Sequence, residues 1–250
     1  MRVDTLKSFK NKFYNDYMEE RKIFQGVLDE KSLMSLYSLM NKGVLDMVHG
    51  FVKQGKESSV LVGEDKKGRK VAVKVYAIEA SDFKNMWPYL HGDERFKNIK
   101  RNKRDIVYAW CAKEHQNLFI ARRAGVKCPE PLGSLNNVLV MEFIGDELEP
   151  APRLNEVWLE EPEKVFKSVL EDMKRMYRAG LVHGDLSEFN ILFWNGEPWI
   201  IDMSQGVLLK HPRAQELLER DVKNVVRFFR KYGVETNEDE VTKVVKGGSE

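Results

Sequence analysis

The strongest chemical signal in this sequence lies between His183 and Asn190, where the residues are His-Gly-Asp-Leu-Ser-Glu-Phe-Asn. Asp185 stands five residues before Asn190, and Asp202 follows the apolar run Trp-Ile-Ile, which predicts a short strand. An aspartate can orient the proton of an attacking hydroxyl, while amide and carboxylate oxygens bind Mg²⁺. Each residue alone would suit a polar turn, but their order favours phosphoryl transfer from ATP, with Asp185 catalytic and Asn190 and Asp202 as metal ligands.

A second signal is a lysine in the middle of an apolar strand. Lys74 ends the run Val-Ala-Val-Lys, and a charged side chain there is costly unless anions surround it. Phosphates of ATP and a helix carboxylate would supply those anions, and Glu114, on a helix predicted over residues 106–124, is the candidate partner. The alternatives are an edge-strand lysine that limits aggregation and a solvated helix glutamate.

The segment Gly-Lys-Glu-Ser-Ser-Val at residues 55–60 precedes a predicted hairpin, about 19 residues before Lys74, where a phosphate-binding loop is expected. It has one glycine, so the glycine-rich kinase pattern is not met. Backbone amides and serine hydroxyls can still bind phosphate oxygens. Lys56, Glu57 and Ser58 are therefore candidate ATP-binding residues.

Residues 140–144 are predicted to form the hinge between two lobes, whose backbone groups would meet adenine. Glu142 and Ile144 are the expected backbone contacts, and Met141 is expected to back the pocket. This placement follows from the order of the segments alone.

The elements that must position these residues follow from the hydrophobic pattern. Residues 1–48 predict an N-terminal helical extension that ends near Gly43. Two helices are expected there, with apolar stripes at Leu6, Phe9, Phe13 and Tyr17 and at Leu33, Leu36, Tyr37 and Met40.

Residues 49–144 predict an N-terminal lobe with a β-sheet and one helix. The helix over 106–124 ends at Gly125, and its side chains Trp110, Cys111, Leu118 and Phe119 are expected to be partly inward. Polar, irregular residues at 81–104 predict a mobile loop. The other predicted features are strands at 60–62, 71–76 and 138–143, a hairpin turn at 63–70 and a proline-containing loop after Gly125.

Residues 145–250 predict a mainly helical C-terminal lobe. The expected elements are a helix over 165–177 that stops at Gly180, short apolar pieces at 191–194 and 199–201, and a last helix over 214–232.

Bulk composition excludes several classes of protein. The chain has 250 residues, a formal net charge of +2 and two cysteines, so neither a disulfide framework nor a zinc site is expected. No apolar run approaches the roughly 20 residues that span a bilayer, and no secretory signal is visible. We therefore expect a cytoplasmic protein without a membrane partner, and no pattern indicates its oligomeric state.

One local charge cluster stands out against this balanced composition. Residues 95–104 contain six basic residues and no acidic one. Such a run is either a solvated loop face, an ordered loop over the nucleotide or a contact with the phosphate backbone of RNA.

Taken together, these motifs resemble the RIO-type atypical protein kinases, specifically the Rio-one branch of archaeal type. The resemblance covers residues from about 30 to 232 and includes the glycine-poor loop, the Lys74 strand and Ile-Asp-Met-Ser-Gln around Asp202. Further matching stretches are Leu-Tyr-Ser-Leu-Met-Asn-Lys-Gly-Val-Leu from Leu36 and His-Pro-Arg-Ala from His211. Asp-Met-Ser replaces the Asp-Phe-Gly of ordinary protein kinases, and an Ala-Pro-Glu motif is absent from the sequence.

The resemblance implies an α+β, compact bilobal protein-kinase-like fold with a truncated C-terminal lobe. It implies a non-specific serine/threonine protein kinase with ATPase activity that uses ATP and Mg²⁺ or Mn²⁺ and phosphorylates its own serine or that of a protein substrate. It also implies a phosphoaspartate at Asp202. Family members act in maturation of the small ribosomal subunit, so the implied partners are its precursor and rRNA.

Two other functions stay open at this point. An ATP-binding ribosome-assembly switch with little kinase activity toward other proteins would use the same residues. A small-molecule kinase of the aminoglycoside or choline type shares a His-Gly-Asp-Leu segment, but only about 100 residues follow Gly145, which leaves little room for its larger substrate-binding lobe.

Overall fold

The computed structural model describes residues 28–247. The first predicted helix, with Leu6, Phe9, Phe13 and Tyr17, lies outside the described residues. The helices within them are α1 (Glu30–Asn41), α2 (Phe83–His91), α3 (Lys103–Arg123), α4 (Pro162–Arg178), α5 (Ala214–Arg230) and α6 (Glu238–Val245). Short 3₁₀ turns lie at Glu94–Phe96, Leu154–Glu156 and Met203–Gln205.

The strands fall into one large sheet and three small two-stranded ladders. The large sheet is antiparallel, in the order β1 (Met47–Gln54), β2 (Ser58–Glu64), β3 (Lys70–Tyr76), β5 (Val138–Glu142) and β4 (Pro131–Leu135). The ladders pair β6 (Gly145–Asp146) with β7 (Glu149–Pro150), β8 (Leu181–Val182) with β11 (Val207–Leu208), and β9 (Ile191–Trp194) with β10 (Glu197–Ile200). This arrangement confirms the predicted α+β, kinase-like fold.

The two faces of the large sheet have different partners. Successive side chains of a strand point to opposite faces, so Val71 and Val73 share a face that packs against the leucines of α1. Ala72 and Tyr76 belong to the other face and to the larger core that includes α3. Lys74 shares the parity of Ala72 and Tyr76, and it is therefore directed toward α3.

The segment at residues 81–104 is largely helical, so the prediction of a mobile loop was wrong. Asp82 begins α2 by accepting the backbone N–H groups of Lys84 and Asn85, and the helix buries Met86, Tyr89 and Leu90. Pro88 lies inside this helix and, with the polar residues around it, obscured its apolar spacing.

Three further expectations were wrong. The proline-containing loop after Gly125 includes a strand, β4, because Pro131 lies at the start of an outer strand of the sheet, where a missing N–H is tolerated. The helix over 214–232 is followed by another, α6, which begins at the side-chain cap of Asn237. Phe119 is 51% exposed, because α3 turns it away from the core that Leu118 enters.

The C-terminal part of the chain is built around α4 and α5. Phe166 of α4 and Phe229 of α5 bring their ring centroids to 5.2 Å, and Phe229 is fully buried. The predicted helix over 165–177, the two apolar pieces and the helix over 214–232 are found as α4, β9, β10 and α5. Within residues 28–247, every helix is too short or too polar to cross a bilayer.

The Phe229 packing predicts a large loss of stability on truncation. Phe229→Ala should lower the free energy of unfolding by about 3–5 kcal/mol, because it removes buried apolar surface and leaves a cavity. Urea denaturation followed by circular dichroism measures this change. Phe119→Ala is the matched control, with an expected cost below about 1 kcal/mol, and equal costs for the two variants would contradict the assigned core.

Candidate active site

A buried lysine joins two carboxylates at the centre of the site. The Nζ atom of Lys74 lies 2.9 Å from Glu114 Oε1 and 2.9 Å from Asp202 Oδ1. The Lys74 side chain is 7% exposed and that of Glu114 is fully buried, whereas that of Asp202 is 43% exposed. The predicted pairing of Glu114 with Lys74 therefore agrees with the geometry. Asp202 is the most exposed of the three residues and faces the cleft.

Electrostatics keep Lys74 and Asp202 ionised. Burial opposes a charge on Lys74, but Asp202 and Glu114 together raise its pKa above the ordinary value. Burial likewise opposes ionisation of Asp202, yet the ammonium group of Lys74 lowers the pKa of this carboxyl to about 2. Burial raises the pKa of Glu114, whose Oε2 atom also accepts a hydrogen bond from the Tyr76 hydroxyl. Asp202 is thus an anion throughout the neutral range.

The loop after β10 presents Asp202 in an unusual backbone conformation. Asp202 has a φ of +58°, in the left-handed region that side chains other than glycine seldom adopt. Its Oδ1 atom accepts a hydrogen bond of 2.8 Å from the Ser204 hydroxyl, and the 3₁₀ turn Met203–Gln205 follows directly. Two donors therefore hold one carboxylate oxygen.

Two residues of α3 that the sequence analysis did not identify hold this loop in place. Lys113 is fully buried, and its Nζ atom donates to the carbonyl oxygens of Ser204, at 2.9 Å, and of Gly206. Asn117 donates from Nδ2 to the carbonyl oxygens of Met203 and Gly206, both at 2.8 Å. Helix α3 therefore positions the loop through its backbone as well as through the Glu114 ion pair. No motif signals these contacts, because their acceptors are backbone groups distant in sequence.

The catalytic-loop candidate Asp185 lies beside Asn190. Asn190 donates from Nδ2 to the carbonyl oxygen of Asp185, at 2.8 Å, and to its Oδ2 atom, at 3.2 Å. Gln205 donates from Nε2 to the same Oδ2 atom at 3.0 Å, while Arg220 places Nη2 3.8 Å from Oδ1. Burial raises the pKa of Asp185, and the positive charge of Arg220 partly offsets this effect.

Buried polar groups support this loop from below. Asp221 of α5 accepts the backbone N–H groups of Gly184 and Leu186, each at 2.7 Å, and burial raises its pKa to about 7 against these two donors. His183 donates from Nε2 to the carbonyl oxygen of Ile201 at 3.0 Å and accepts the Asp185 N–H at Nδ1. Because burial lowers the pKa of His183 to about 4, its ring is neutral.

The predicted phosphate loop forms the turn between β1 and β2. The Gly55 N–H donates to the carbonyl oxygen of Ser58 at 3.0 Å, and the Ala77 N–H donates to that of Glu57 at 2.9 Å. Lys56 and Glu57 are exposed and Ser58 is half-buried. Within the described residues, no hydrogen bond or ion pair joins these three to Lys74, Asp185 or Asp202.

A second lysine, which was not among the residues predicted from the sequence, faces the cleft. In the sheet register, Lys53 of β1 is opposite Val60 of β2, which is in turn opposite Lys74, so the three share one face. Partial desolvation lowers the pKa of Lys53, and the charge of Arg153, in the C-terminal lobe, lowers it further. The position of Lys53 just before the glycine-poor loop was the one feature of the sequence that could have identified it as a site residue.

The hinge candidates lie at and just after the C-terminal end of β5, an inner strand of the sheet. Met141 is buried opposite Ala72 of β3. The Glu142 N–H donates to the carbonyl oxygen of Glu130 at 2.8 Å, and the Ile144 carbonyl accepts from Ala151 at 2.9 Å. Among the hydrogen bonds of residues 28–247, none uses the N–H of Ile144.

Comparison with known proteins identifies the family. The RIO domain profile matches residues 59–242. The RIO-type serine/threonine-protein kinase Rio1 of Haloferax volcanii is 43% identical, over 92% of this chain and 79% of its own length. The chain belongs to the RIO family of serine/threonine-protein kinases. The Rio1 protein of Methanocaldococcus jannaschii is 42% identical, again over 92% and 79% of the two chains, which supports the Rio1 branch.

Solved structures support the fold of this RIO kinase. The Rio2 kinase of Chaetomium thermophilum, in an ADP/Mg²⁺-phosphoaspartate complex, superposes with a TM-score of 0.64 at 22% identity, covering 87% of this chain and 67% of that one. The bilobal kinase fold expected from the motifs is therefore confirmed. Membership of a protein-kinase family also disfavours the small-molecule kinase alternative.

The buried Lys113 predicts a specific dependence of stability on pH. Burial lowers the pKa of Lys113 to about 7, below the ordinary 10.5 of the unfolded chain. The unfolded state then binds more protons between pH 7 and 10, so the native chain gains stability as pH rises through this window. The Lys113→Met variant has no amine at this position, so its free energy of unfolding should not show this rise with pH.

Urea denaturation of both chains from pH 6 to 10 checks this expectation. The free energy of unfolding of the native chain, relative to that of Lys113→Met, should rise with pH. Parallel curves would contradict a depressed pKa. Lys167→Met, at an exposed lysine of α4, is the matched control and should parallel the native chain.

Proposed function

We propose that this RIO kinase transfers the γ-phosphoryl group of ATP to a serine hydroxyl, its own or that of another protein, and more slowly to water. The main support is the buried Lys74 amine, held 2.9 Å from both Glu114 and Asp202. A lysine fixed between a helix carboxylate and a cleft-facing carboxylate is the arrangement that positions ATP phosphates in protein kinases. Gln205, in the loop that begins at Asp202, donates a hydrogen bond to Asp185 and so connects the two aspartates.

The residues of the cleft fit ATP with Mg²⁺ or Mn²⁺. Asp202 is anionic. Lys74 and Ser204 both donate to its Oδ1 atom, so Oδ2 is the oxygen available to bind a metal ion. Asn190 directs its Nδ2 atom to Asp185, so its Oδ1 atom remains as a ligand. Residues 28–247 contain no cluster of three or more His, Cys, Asp or Glu side chains suited to a metal ion. Two protein oxygens are nonetheless sufficient, since Mg²⁺ usually takes its other ligands from phosphates and water.

The remaining nucleotide contacts are assigned by position. Ile144 would offer its backbone N–H to the adenine base, with Glu142 beside it and Met141 lining the pocket. The turn at Lys56, Glu57 and Ser58 would cover the phosphates with backbone amides, and Lys53 would add a cation to the same face.

In the transfer step, the serine oxygen forms a bond to the γ-phosphorus and the bond from that phosphorus to the β–γ bridging oxygen breaks. ADP leaves, and the hydroxyl proton passes to Asp185 and then to water. Asn190 and Gln205 fix one oxygen of Asp185, so the carboxylate is oriented before the acceptor arrives. A bound metal ion would neutralise charge on the phosphate oxygens.

Asp202 is proposed as a second acceptor of the phosphoryl group. The C. thermophilum Rio2 structure contains a phosphoaspartate, and in this chain Asp202 matches the metal-binding aspartate of the family. Attack by Oδ2 would form an acyl phosphate and release ADP. Transfer to water would then follow by hydrolysis of this intermediate.

We further propose a role in maturation of the small ribosomal subunit, with its precursor and rRNA as partners and slow turnover as a release signal. This proposal depends on the family resemblance and on the basic residues at 95–104. Three of these are engaged in ion pairs, Arg95 with Asp93, Lys97 with Glu94 and Lys103 with Glu79. The exposed residues Lys100, Arg101 and Arg104 are then the proposed contacts with RNA phosphates.

Replacing the catalytic aspartate tests the phosphotransferase proposal. Asp185→Ala should reduce ATP turnover by about 10²- to 10⁴-fold, while ATP affinity changes little, because the carboxylate acts on the attacking hydroxyl. Asp146→Ala, at an exposed aspartate of β6, is the control and should keep native turnover. Undiminished turnover of Asp185→Ala would reject the assigned role.

The same assay, repeated with purified small-subunit particles, tests the ribosomal role. We expect particles to raise the turnover of the native chain and to leave Asp185→Ala inactive. Particles that neither bind nor change the rate would reject the ribosomal role while leaving the phosphotransferase intact.

The phosphoaspartate proposal predicts a chemically distinct label. After incubation with γ-³²P-ATP, part of the label on the chain should be released by hydroxylamine, which cleaves acyl phosphates and spares phosphoserine. Asp202→Asn should lose this fraction. A label that resists hydroxylamine entirely would show that only hydroxyl groups accept the phosphoryl group.

A further inference from the structure

Helix α5 lies directly against the catalytic loop and leaves one edge of itself exposed beside Asp185. Ala214 begins α5 only 12 residues after Asp202, so no long activation segment separates the helix from the loop. Asp221 holds the backbone of the loop, and Asn224 donates to the carbonyl oxygen of Leu186 at 3.1 Å. An incoming substrate therefore meets α5 as soon as it reaches Asp185.

Three arginines line this edge, and we call Arg213, Arg220 and Arg227 the arginine stripe. Each is seven residues from the next, which places the three on one side of a helix within about 40°. Residues 210–231 contain seven basic and three acidic residues, so this part of the surface is positive. A cationic helix edge next to a catalytic carboxylate favours an anionic partner.

Two arginines of the stripe lie along the catalytic loop, and the third lies beyond its end. Arg220 lies 3.8 Å from Asp185 Oδ1, and Arg227 lies 3.8 Å from Glu188 Oε2 and is 55% exposed. Arg213 binds Glu216 at 2.8 Å and stacks over the Tyr89 ring at 5.0 Å. Arg213 is therefore paired closely with Glu216, whereas the carboxylate contacts of Arg220 and Arg227 are longer, and Arg220 also donates to Gln205 Oε1 at 3.1 Å. Arg227 is more exposed than Arg220 and is the main cation that a partner can use.

The carboxylate of Asp185 sets the direction of approach. Its Oδ2 atom is held by Asn190 and Gln205, whereas Oδ1 faces Arg220. A hydroxyl that uses Oδ1 must therefore lie next to the guanidinium group of Arg220. Flanking residues of the same segment would pass Arg227 and the exposed Phe189 ring, which is 48% exposed.

We propose that the arginine stripe and Phe189 form an acceptor-binding face for a serine flanked by acidic residues. This inference rests on the proposed phosphotransferase function and names its substrate class. Carboxylates next to the serine would bind Arg220 and Arg227, while an apolar side chain would pack on Phe189.

An acidic polypeptide fits this face better than a nucleic acid. The arginines alternate with three carboxylates, those of Asp185, Glu188 and Glu216. The positive potential is therefore not continuous along this face. A phosphate backbone, with one charge at every nucleotide, would meet these carboxylates. A polypeptide can place its acidic residues selectively opposite the arginines.

Matched seryl peptides test the proposal on the full chain with ATP and Mg²⁺. One peptide carries Asp and Glu around the serine, a second carries Asn and Gln, and a third carries Lys. The acidic peptide should have a KM about two- to fivefold lower than the amide peptide, as exposed ion pairs contribute modestly. The difference should vanish at 0.5 M NaCl, where charges on the surface are screened over about 4 Å.

Arg227→Gln should raise the KM for the acidic peptide by about two- to fivefold more than that for the amide peptide. Arg227→Lys retains the charge and should keep the preference, which separates a charge effect from a folding defect. Lys167→Gln removes one exposed charge from α4 and should leave both KM values unchanged.

Equal KM values for the acidic and amide peptides in the native chain would overturn the proposal. So would a single-stranded RNA whose binding Arg227→Gln weakens more than it weakens the acidic peptide, because the stripe would then be an RNA surface. ATP hydrolysis that persists while all peptides behave alike rejects the acceptor face alone. Loss of both peptide phosphorylation and ATP turnover in the native chain would reject the phosphotransferase itself.

Discussion

The buried ammonium group of Lys74 is the constraint on which the rest of the structure depends. A charge that is removed from water is tolerated only where opposite charges and hydrogen bonds replace the solvent. Glu114 and Asp202 provide them from α3 and from the loop after β10, at 2.9 Å each. The ion pair therefore requires that sheet, helix and loop be assembled together, and the same assembly forms the nucleotide cleft.

Helix α3 contacts both Lys74 and the loop after β10, and it therefore fixes their relative positions. Glu114 and the adjacent Lys113 lie in one turn of the helix, and Asn117 lies in the next. Lys113 and Asn117 bind the carbonyl oxygens after Asp202. A displacement of α3 would therefore release both Lys74 and the loop that follows β10. On the other side of the cleft, Asp221 of α5 holds the catalytic loop in the same manner, with a buried carboxylate that accepts two backbone N–H groups.

The segment before α3 connects these two supports. Tyr89 of α2 donates a hydrogen bond of 2.8 Å to Gln205, which in turn donates to Asp185. Helix α2, in the N-terminal part of the chain, is thus connected to the candidate catalytic residue Asp185 through Gln205. The charges of the segment before α3 are also largely internal, since Arg95 is bound to the buried carboxylate of Asp93. Only part of the basic run therefore remains for an external partner.

The sequence by itself determined the set of candidate residues: Asp185, Asn190 and Asp202 have a fixed order, Lys74 interrupts an apolar strand, and these local patterns do not depend on distant contacts. It also determined most helices and strands, because the period of the apolar residues is a local property. Only the tertiary structure decided that residues 83–91 are helical despite Pro88, that Lys113 and Asn117 hold the loop, and that Arg220 lies beside Asp185. Each of these depends on partners that are distant along the chain, often backbone carbonyls, and such pairings become visible only when the elements pack against each other.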